Sequence, residues 1–200
     1  MSDDDFDFVN VEKKLFKIAE QVVDKKMFFR DITFNNYEEF LSFYKKKLIH
    51  HFYEIISGNQ GLYFDFDCKD KIDEKNFDEL IFLIKKKIGK DIKIMINSYT
   101  SHGVEKFSYH IIVKGIYFED HNDCGDYAKD IISQMDDNNH LKTYFDSSVY
   151  TSRRNLRLMG STKVYTNRVK IFYKTIYKDS EYVNPYEKDN LRTSFVTEIK

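Results

Sequence analysis

Leu62-Tyr63-Phe64-Asp65-Phe66-Asp67 alternates strictly along the chain. Read as a strand, it puts Leu62, Phe64 and Phe66 on one face and Tyr63, Asp65 and Asp67 on the other. Carboxylates two residues apart on a strand point the same way, with Cα atoms roughly 6.5–7 Å apart. Such a pair repels unless a cation sits between its members, so the pattern points to a divalent-metal seat on a rigid strand. A half-buried strand with two solvated acids is the plainer alternative, which this stretch alone leaves open.

Just upstream, Ser57-Gly58-Asn59-Gln60-Gly61 is a turn signal, and His50 to Ile56 is aromatic and β-branched. The spacing predicts a hairpin with His50–Ile56 antiparallel to Leu62–Cys68. A turn symmetric about Asn59 would set Tyr53 opposite Asp65 and His51 opposite Asp67, on one face. Further back, Asn36 reads as an N-cap with Glu39 in the third helical position. Tyr37, Phe40, Leu41, Tyr44 and Leu48 form the stripe of a helix ending near Lys47. Phe28 to Thr33 is a short β-like run. Val11, Leu15, Ile18 and Val22 fall at helical spacing, which predicts one amphipathic helix over Asn10 to Met27.

Downstream, Phe77, Leu80, Ile81, Ile84 and Ile88 predict a helix over Asn76–Lys90. Strands follow at Ile92–Ser98 and Lys106–Lys114, joined by a polar loop containing Gly103. In the second strand Phe107, Tyr109, Ile111 and Val113 share one face, so Ser108 and His110 share the other. Asp123–Met135 reads as a helix. Phe145–Tyr150 and Leu156–Lys174 read as further strands, with a turn at Gly160. The order is that of an α+β fold: a ferredoxin-like, RNA-recognition-motif-like antiparallel sheet with helices, preceded by an N-terminal αβ extension. No repeat, low-complexity segment or linker divides the chain, so one domain is expected, with an N-terminal part (1–60), a core (61–175) and a tail (176–200) that is polar beyond Tyr182.

The 200 residues allow a sizeable core, and a hydrophobic content of 42% argues for a folded globule rather than disorder. The net charge of −1 excludes nothing, but its distribution is uneven. From Ser147 to Lys178 there is no acid, while Arg153, Arg154, Arg157, Lys163, Arg168, Lys170, Lys174 and Lys178 all occur. A basic segment facing carboxylates is what a polyphosphate or nucleic-acid backbone requires; a solvated basic face is the alternative. Two cysteines, Cys68 and Cys124, exclude a disulfide framework and favour an intracellular protein. His121-x-x-Cys124 is half of a zinc pattern without a second pair, so zinc is not expected. No apolar run reaches the length of a membrane span, and no membrane partner is expected.

Asp65 and Asp67, Ser108-x-His110 and Asp146 are thus expected on one face of one sheet. A third carboxylate would complete a site for two ions roughly 3.5–4 Å apart that clamp a phosphoryl transfer. Oxygen ligands favour Mg²⁺ or Mn²⁺ over zinc. Taken singly, Ser108 and His110 are ordinary strand residues, and only the assembled set argues for function.

That set, followed by Val149-Tyr150-Thr151-Ser152-Arg153-Arg154-Asn155-Leu156-Arg157-Leu158-Met159-Gly160-Ser161-Thr162-Lys163, resembles the three motifs of the archaeo-eukaryotic primase superfamily. The last run is most similar to the primase-polymerase (PrimPol) branch and to primases of nucleocytoplasmic large DNA viruses. That branch typically reads Val-Tyr-Thr-x-x-Arg-Asn-x-Arg-x-x-x-Ser-Ser-Lys here. Asn36 to Phe40 and His51 to Ile56 also resemble segments upstream of its first motif, so the resemblance runs from Arg30 to Tyr173. The second acid is Asp67 where some relatives have Glu, and no cysteine-rich zinc module is present.

The resemblance implies a metal-dependent DNA primase/polymerase domain performing template-directed nucleotidyl transfer in DNA replication. Asp65, Asp67 and Asp146 would be the catalytic metal ligands. Ser108 and His110 would touch the nucleotide's phosphates, and Arg157 and Lys163 would hold the triphosphate, with Arg154, Asn155, Lys106 and Arg30 nearby. Tyr53 would line the sugar pocket. The implied partners are a single-stranded DNA template, a primer, NTP or dNTP, and a helicase domain or subunit, in the nucleus or in the cytoplasm or viral factory. A non-catalytic RNA-recognition-type binding module is the main alternative, and a metal nuclease using the same acids is a third.

Overall fold

Apolar alternation in this chain builds two antiparallel sheets rather than one. The structure, a computed structural model, describes residues 15–89, 93–99, 106–177, 180–182 and 190–197. In chain order the elements are β1 (Phe16–Asp24), β2 (Lys26–Phe34), α1 (Tyr37–Lys45), β3 (Phe52–Ile56), β4 (Gln60–Cys68), α2 (Glu74–Ile88), β5 (Lys93–Tyr99), β6 (Phe107–Phe118), α3 (His121–Ser133) and α4 (His140–Tyr144). A 3-10 turn (Ser147–Val149), β7 (Arg154–Arg157), β8 (Ile171–Tyr177), β9 (Ser180–Tyr182) and α5 (Asn190–Thr193) follow. The first sheet has the order β2-β1-β3-β7 and the second β4-β6-β5-β8-β9.

The second sheet is compatible with a ferredoxin-like layout. β4, α2 and β5 form a βαβ unit split by β6, which pairs antiparallel with both strands. Phe64, Phe66, Tyr109 and Ile111 bury one face of it against Phe77, Leu80 and Ile84 of α2 and Ile131 of α3. A smaller aromatic core, with Phe34, Phe40, Phe52 and Phe195, lies between α1 and the first sheet. The helix start at α1 forms as its sequence predicts: the Glu39 N–H donates to Asn36 Oδ1 at 2.9 Å, and Glu39 Oε2 accepts from the Asn35 N–H at 2.7 Å.

Four expectations are corrected. The stretch read as a helix from Asn10 to Met27 is strand β1 where it is described; residues 10–14 lie outside the described residues, as does the loop containing Gly103. β1 lies between β2 and β3 within the sheet, and consecutive residues Ile18 and Ala19, on its opposite faces, are both buried, so no period-2 signal survives. Second, β3 and β4 do not form a hairpin. They belong to different sheets, with Tyr53 opposite Ala19 and Arg157 rather than Asp65. The C-terminal segment fills the gap: the Gly61 N–H donates to the Val196 carbonyl at 3.1 Å, while the Val196 N–H donates to the Glu54 carboxylate at 2.8 Å. A Cβ at position 61 would stand 2.7 Å from that carbonyl, so the close approach requires glycine. Third, Phe145–Tyr150 is not a strand. Phe145 makes a single bridge to Phe66 on the free edge of β4, where a ferredoxin-like sheet keeps its fourth strand, and the 3-10 turn then takes over. Fourth, β7, read as part of the core, instead joins β3 in the first sheet.

Candidate active site

On the face of the second sheet away from α2 and α3, Asp65 lies opposite His110 and Asp67 opposite Ser108. Directly opposed residues share a face, so the two acids and the Ser-x-His pair come together as the alternation predicts. Asp146 arrives beside them through the Phe145 bridge, and its N–H donates to the Asp65 carbonyl at 2.9 Å. Asp146 Oδ1 accepts from the Ser148 N–H at 3.0 Å and its hydroxyl at 2.6 Å, which caps the 3-10 turn.

The cations come from Lys106, just before β6, and from the segment 154–170. Lys106 Nζ is 3.2 Å from Asp67 Oδ2, and Arg154 Nη2 is 3.9 Å from Asp65 Oδ2. Arg157, on the same edge strand, is buried. The chain then turns at Gly160, whose φ of 79° and contact with the Tyr44 hydroxyl leave no place for a side chain. The Gly160 N–H donates to the Lys170 carbonyl and the Lys170 N–H to the Ser161 carbonyl, closing a loop; the Thr162 N–H ties that loop to the His50 carbonyl at 2.8 Å. Closure brings Lys163 into the field of Arg157, Arg168 and Asp67. It also carries Lys170 into the interior, with 0% exposure, where Nζ donates to both the carbonyl and Oγ of Ser108 at 3.0 Å.

Burial dominates the electrostatics. It raises the Asp65 carboxyl above the ordinary carboxylate range; Lys170 and Arg154 oppose the rise, and Asp67 and Asp146 add to it. His110 is held well below the usual imidazole value by burial and by the charges of Lys170, Arg157 and Arg154, so it is neutral near pH 7. Its Nε2, 3.6 Å from Asp65 Oδ1, therefore makes no ion pair. Burial and neighbouring cations lower Lys163 and Lys170 as well. Asp65 Oδ1, His110 Nδ1, Arg154 Nε and Asn155 Oδ1 are buried without a hydrogen-bond partner. Buried polar atoms are ordinarily paired, and such a cluster of exceptions marks a place for a ligand.

The structure thus brings together Asp65, Asp67, Asp146, Ser108, His110, Lys106, Arg154, Arg157 and Lys163, with Asn155 on the same edge strand. It does not bring Arg30, which pairs with Glu20 across β2 and β1 of the first sheet at 2.5 Å. Tyr53 does not lie opposite Asp65 as the predicted hairpin required; it lies opposite Arg157 on β7, with Ala19 on its other side. Its hydroxyl donates to Gln21 Oε1 at 3.2 Å, and its ring meets Phe29 edge-on at 4.9 Å. Within the basic segment, Arg153 is held by Asp31 at 2.6 Å and Lys174 by Glu74 at 2.5 Å. Lys170 was not among the residues expected at the site. Beyond membership of the basic segment, its sequence signal is a lysine interrupting the apolar run Val169-Ile171-Phe172.

Among the described residues, no three His, Cys, Asp or Glu side chains close on one point as metal ligands. The donor chemistry nonetheless suits a hard cation, since Asp65 presents a buried carboxylate oxygen that accepts no hydrogen bond and Asp67 is half exposed beside it. No helix of the described residues is long and apolar enough to cross a membrane. No protein-family model matches the chain, and no curated protein matches it.

Proposed function

We propose that this chain is a metal-dependent nucleotidyltransferase of the primase-polymerase kind, with the archaeo-eukaryotic primase fold, extending or starting a strand on a single-stranded DNA template. One observation carries the reading. Carboxylates and cations from β4, the residue before β6, β7 and the loop before β8 meet around Asp65 and His110, where buried polar atoms lack partners. A site with this charge pattern fits a metal-bound triphosphate better than a neutral ligand.

Asp65, Asp67 and Asp146 would hold Mg²⁺ or Mn²⁺, which supplies charge neutralisation at the transferred phosphoryl group when bound. Arg157 presents a planar fork to phosphate oxygens, and Lys163 a point charge. Neutral His110 adds an N–H without adding repulsion among the cations. The acceleration comes from positioning and preorganised charge rather than from a covalent intermediate.

The test supplies labelled nucleotide with Mn²⁺ or Mg²⁺ on a single-stranded template, with and without a primer. Template-dependent incorporation is expected. Tight binding of DNA without incorporation under any of these conditions would leave a binding module, and cleavage of the template would make the acids those of a nuclease.

A further inference from the structure

Lys170 answers to none of the roles above, yet it is the most deeply buried cation near the acids. An ammonium has three donors and no acceptor. With Asp65 and Asp67 favouring its charged form against burial, its bond to Ser108 Oγ at 3.0 Å runs one way, with the serine oxygen accepting. A hydroxyl that accepts on one side keeps its hydrogen for another partner, and among the described residues no other hydrogen bond involves Ser108 Oγ. The second bond, from Nζ to the Ser108 carbonyl at 3.0 Å, fixes the ammonium against β6 so that it cannot swing away. Ser108 lies opposite Asp67 and two residues from His110, the partner of Asp65, and exposure is 0% for Lys170 and 3% for Ser108.

We propose that Lys170 is a positioning residue that forces the Ser108 hydroxyl to act as a donor into the site, toward an accepting phosphate oxygen of the ligand. The buried charge also offsets Asp65 and Asp67, so the floor of the site stays receptive to an anion. The inference rests on the nucleotidyl-transfer reading for the identity of the ligand, and it concerns only Lys170 and Ser108.

The experiment measures binding of a nucleoside triphosphate and of inorganic tripolyphosphate to Lys170→Met, Ser108→Ala and the double variant, with thermal melting as the folding control. A lost charge-assisted hydrogen bond is worth about tenfold in affinity. Lys170→Met is expected to weaken both ligands by about that factor, to leave single-stranded DNA affinity unchanged, and to abolish most of the further effect of Ser108→Ala. Full additivity of the two substitutions would overturn the proposal. Should Lys170→Met fail to fold, Lys170→Arg keeps a donor-only cation: affinity within about threefold of wild type supports the assignment, and a tenfold loss in a folded Lys170→Arg overturns it. Lys170-dependent tripolyphosphate binding by a protein that incorporates no nucleotide would sink the enzymatic reading while leaving this one standing. Normal incorporation with additive variants would do the reverse.

Discussion

Glu54 on β3 and Asp65 on β4 are carboxylates buried to similar depth, with exposures of 2% and 8%, in surroundings that differ in kind. Glu54 is saturated by short neutral donors: Val196 N–H at 2.8 Å, Thr197 N–H at 2.7 Å and the Thr197 hydroxyl at 2.6 Å. Asp65 has no donor on Oδ1, and the guanidinium nearest its Oδ2 stands 3.9 Å away. A carboxylate closed off by hydrogen bonds holds the chain together. One ringed by cations that do not quite reach it is poised for something else.

The strongest way to break that contrast is to neutralise the acids at the site. Asp65→Asn and Asp146→Asn are expected to lower nucleotide incorporation by at least about 10²–10³-fold, the cost of losing one preorganised electrostatic partner, with little change in melting temperature. Glu54→Ala should do the opposite. It strands the Val196 and Thr197 donors, costs about 1–3 kcal/mol in denaturant unfolding, and keeps the activity per folded molecule. Near-normal activity in Asp65→Asn at matched metal concentration would remove the distinction.

Next in size are Arg157→Ala and Lys163→Ala. Each is expected to weaken nucleoside triphosphate binding by about tenfold while changing template affinity less. Both affinities must be measured at one stated salt concentration, because backbone contacts are steeply salt-dependent. A large loss of DNA binding with unchanged nucleotide affinity would move both residues to the template groove.

The legible parts of the molecule are those whose signals are local. Asp65, Asp67, Ser108 and His110 come together because two alternating strands pair in register, and α1 starts where Asn36 and Glu39 cap it. The first sheet was not legible, for two physical reasons. β1 is covered on both faces, so Ile18 and Val22 mimic helical spacing when Ala19 and Gln21 are also inside. The bond network that keeps β3 from β4 is supplied by Val196, about 140 residues away from Glu54 in sequence, where no short-range pattern can report it. Lys170 escaped for a related reason. Only tertiary closure of the loop from Gly160 reveals that its ammonium is inside.

Tyr53 sharpens the contrast on the first sheet. It lies opposite Arg157, yet its hydroxyl is on Gln21 and its ring against Phe29, contacts within the first sheet. Tyr53→Phe is expected to cost about 1 kcal/mol in unfolding, the net worth of one hydrogen bond, and to leave the ratio of ribo- to deoxynucleotide incorporation unchanged. A shifted ratio would return Tyr53 to the sugar pocket.

The smallest expected effect concerns the proton on Glu54. Burial raises its pKa above the ordinary 4.5, and the bonds from Thr197 and Val196, with the charge of Lys114, only partly offset this. The folded state therefore holds the proton more tightly than the unfolded chain. By linkage this stabilisation is complete below the ordinary value and is lost as pH rises from there through the folded pKa. Other carboxylates change stability over the same range, so the measurement is a difference: unfolding free energy against pH for wild type minus that for Glu54→Gln, which does not titrate. That difference should fall as pH rises from below 4.5 through the folded pKa and then level off. A carboxylate that accepts several N–H bonds can instead be held ionised. A difference that rises with pH would mean the donors from Val196 and Thr197 outweigh burial, making Glu54 an anion in the core just as Asp65 would be at the site.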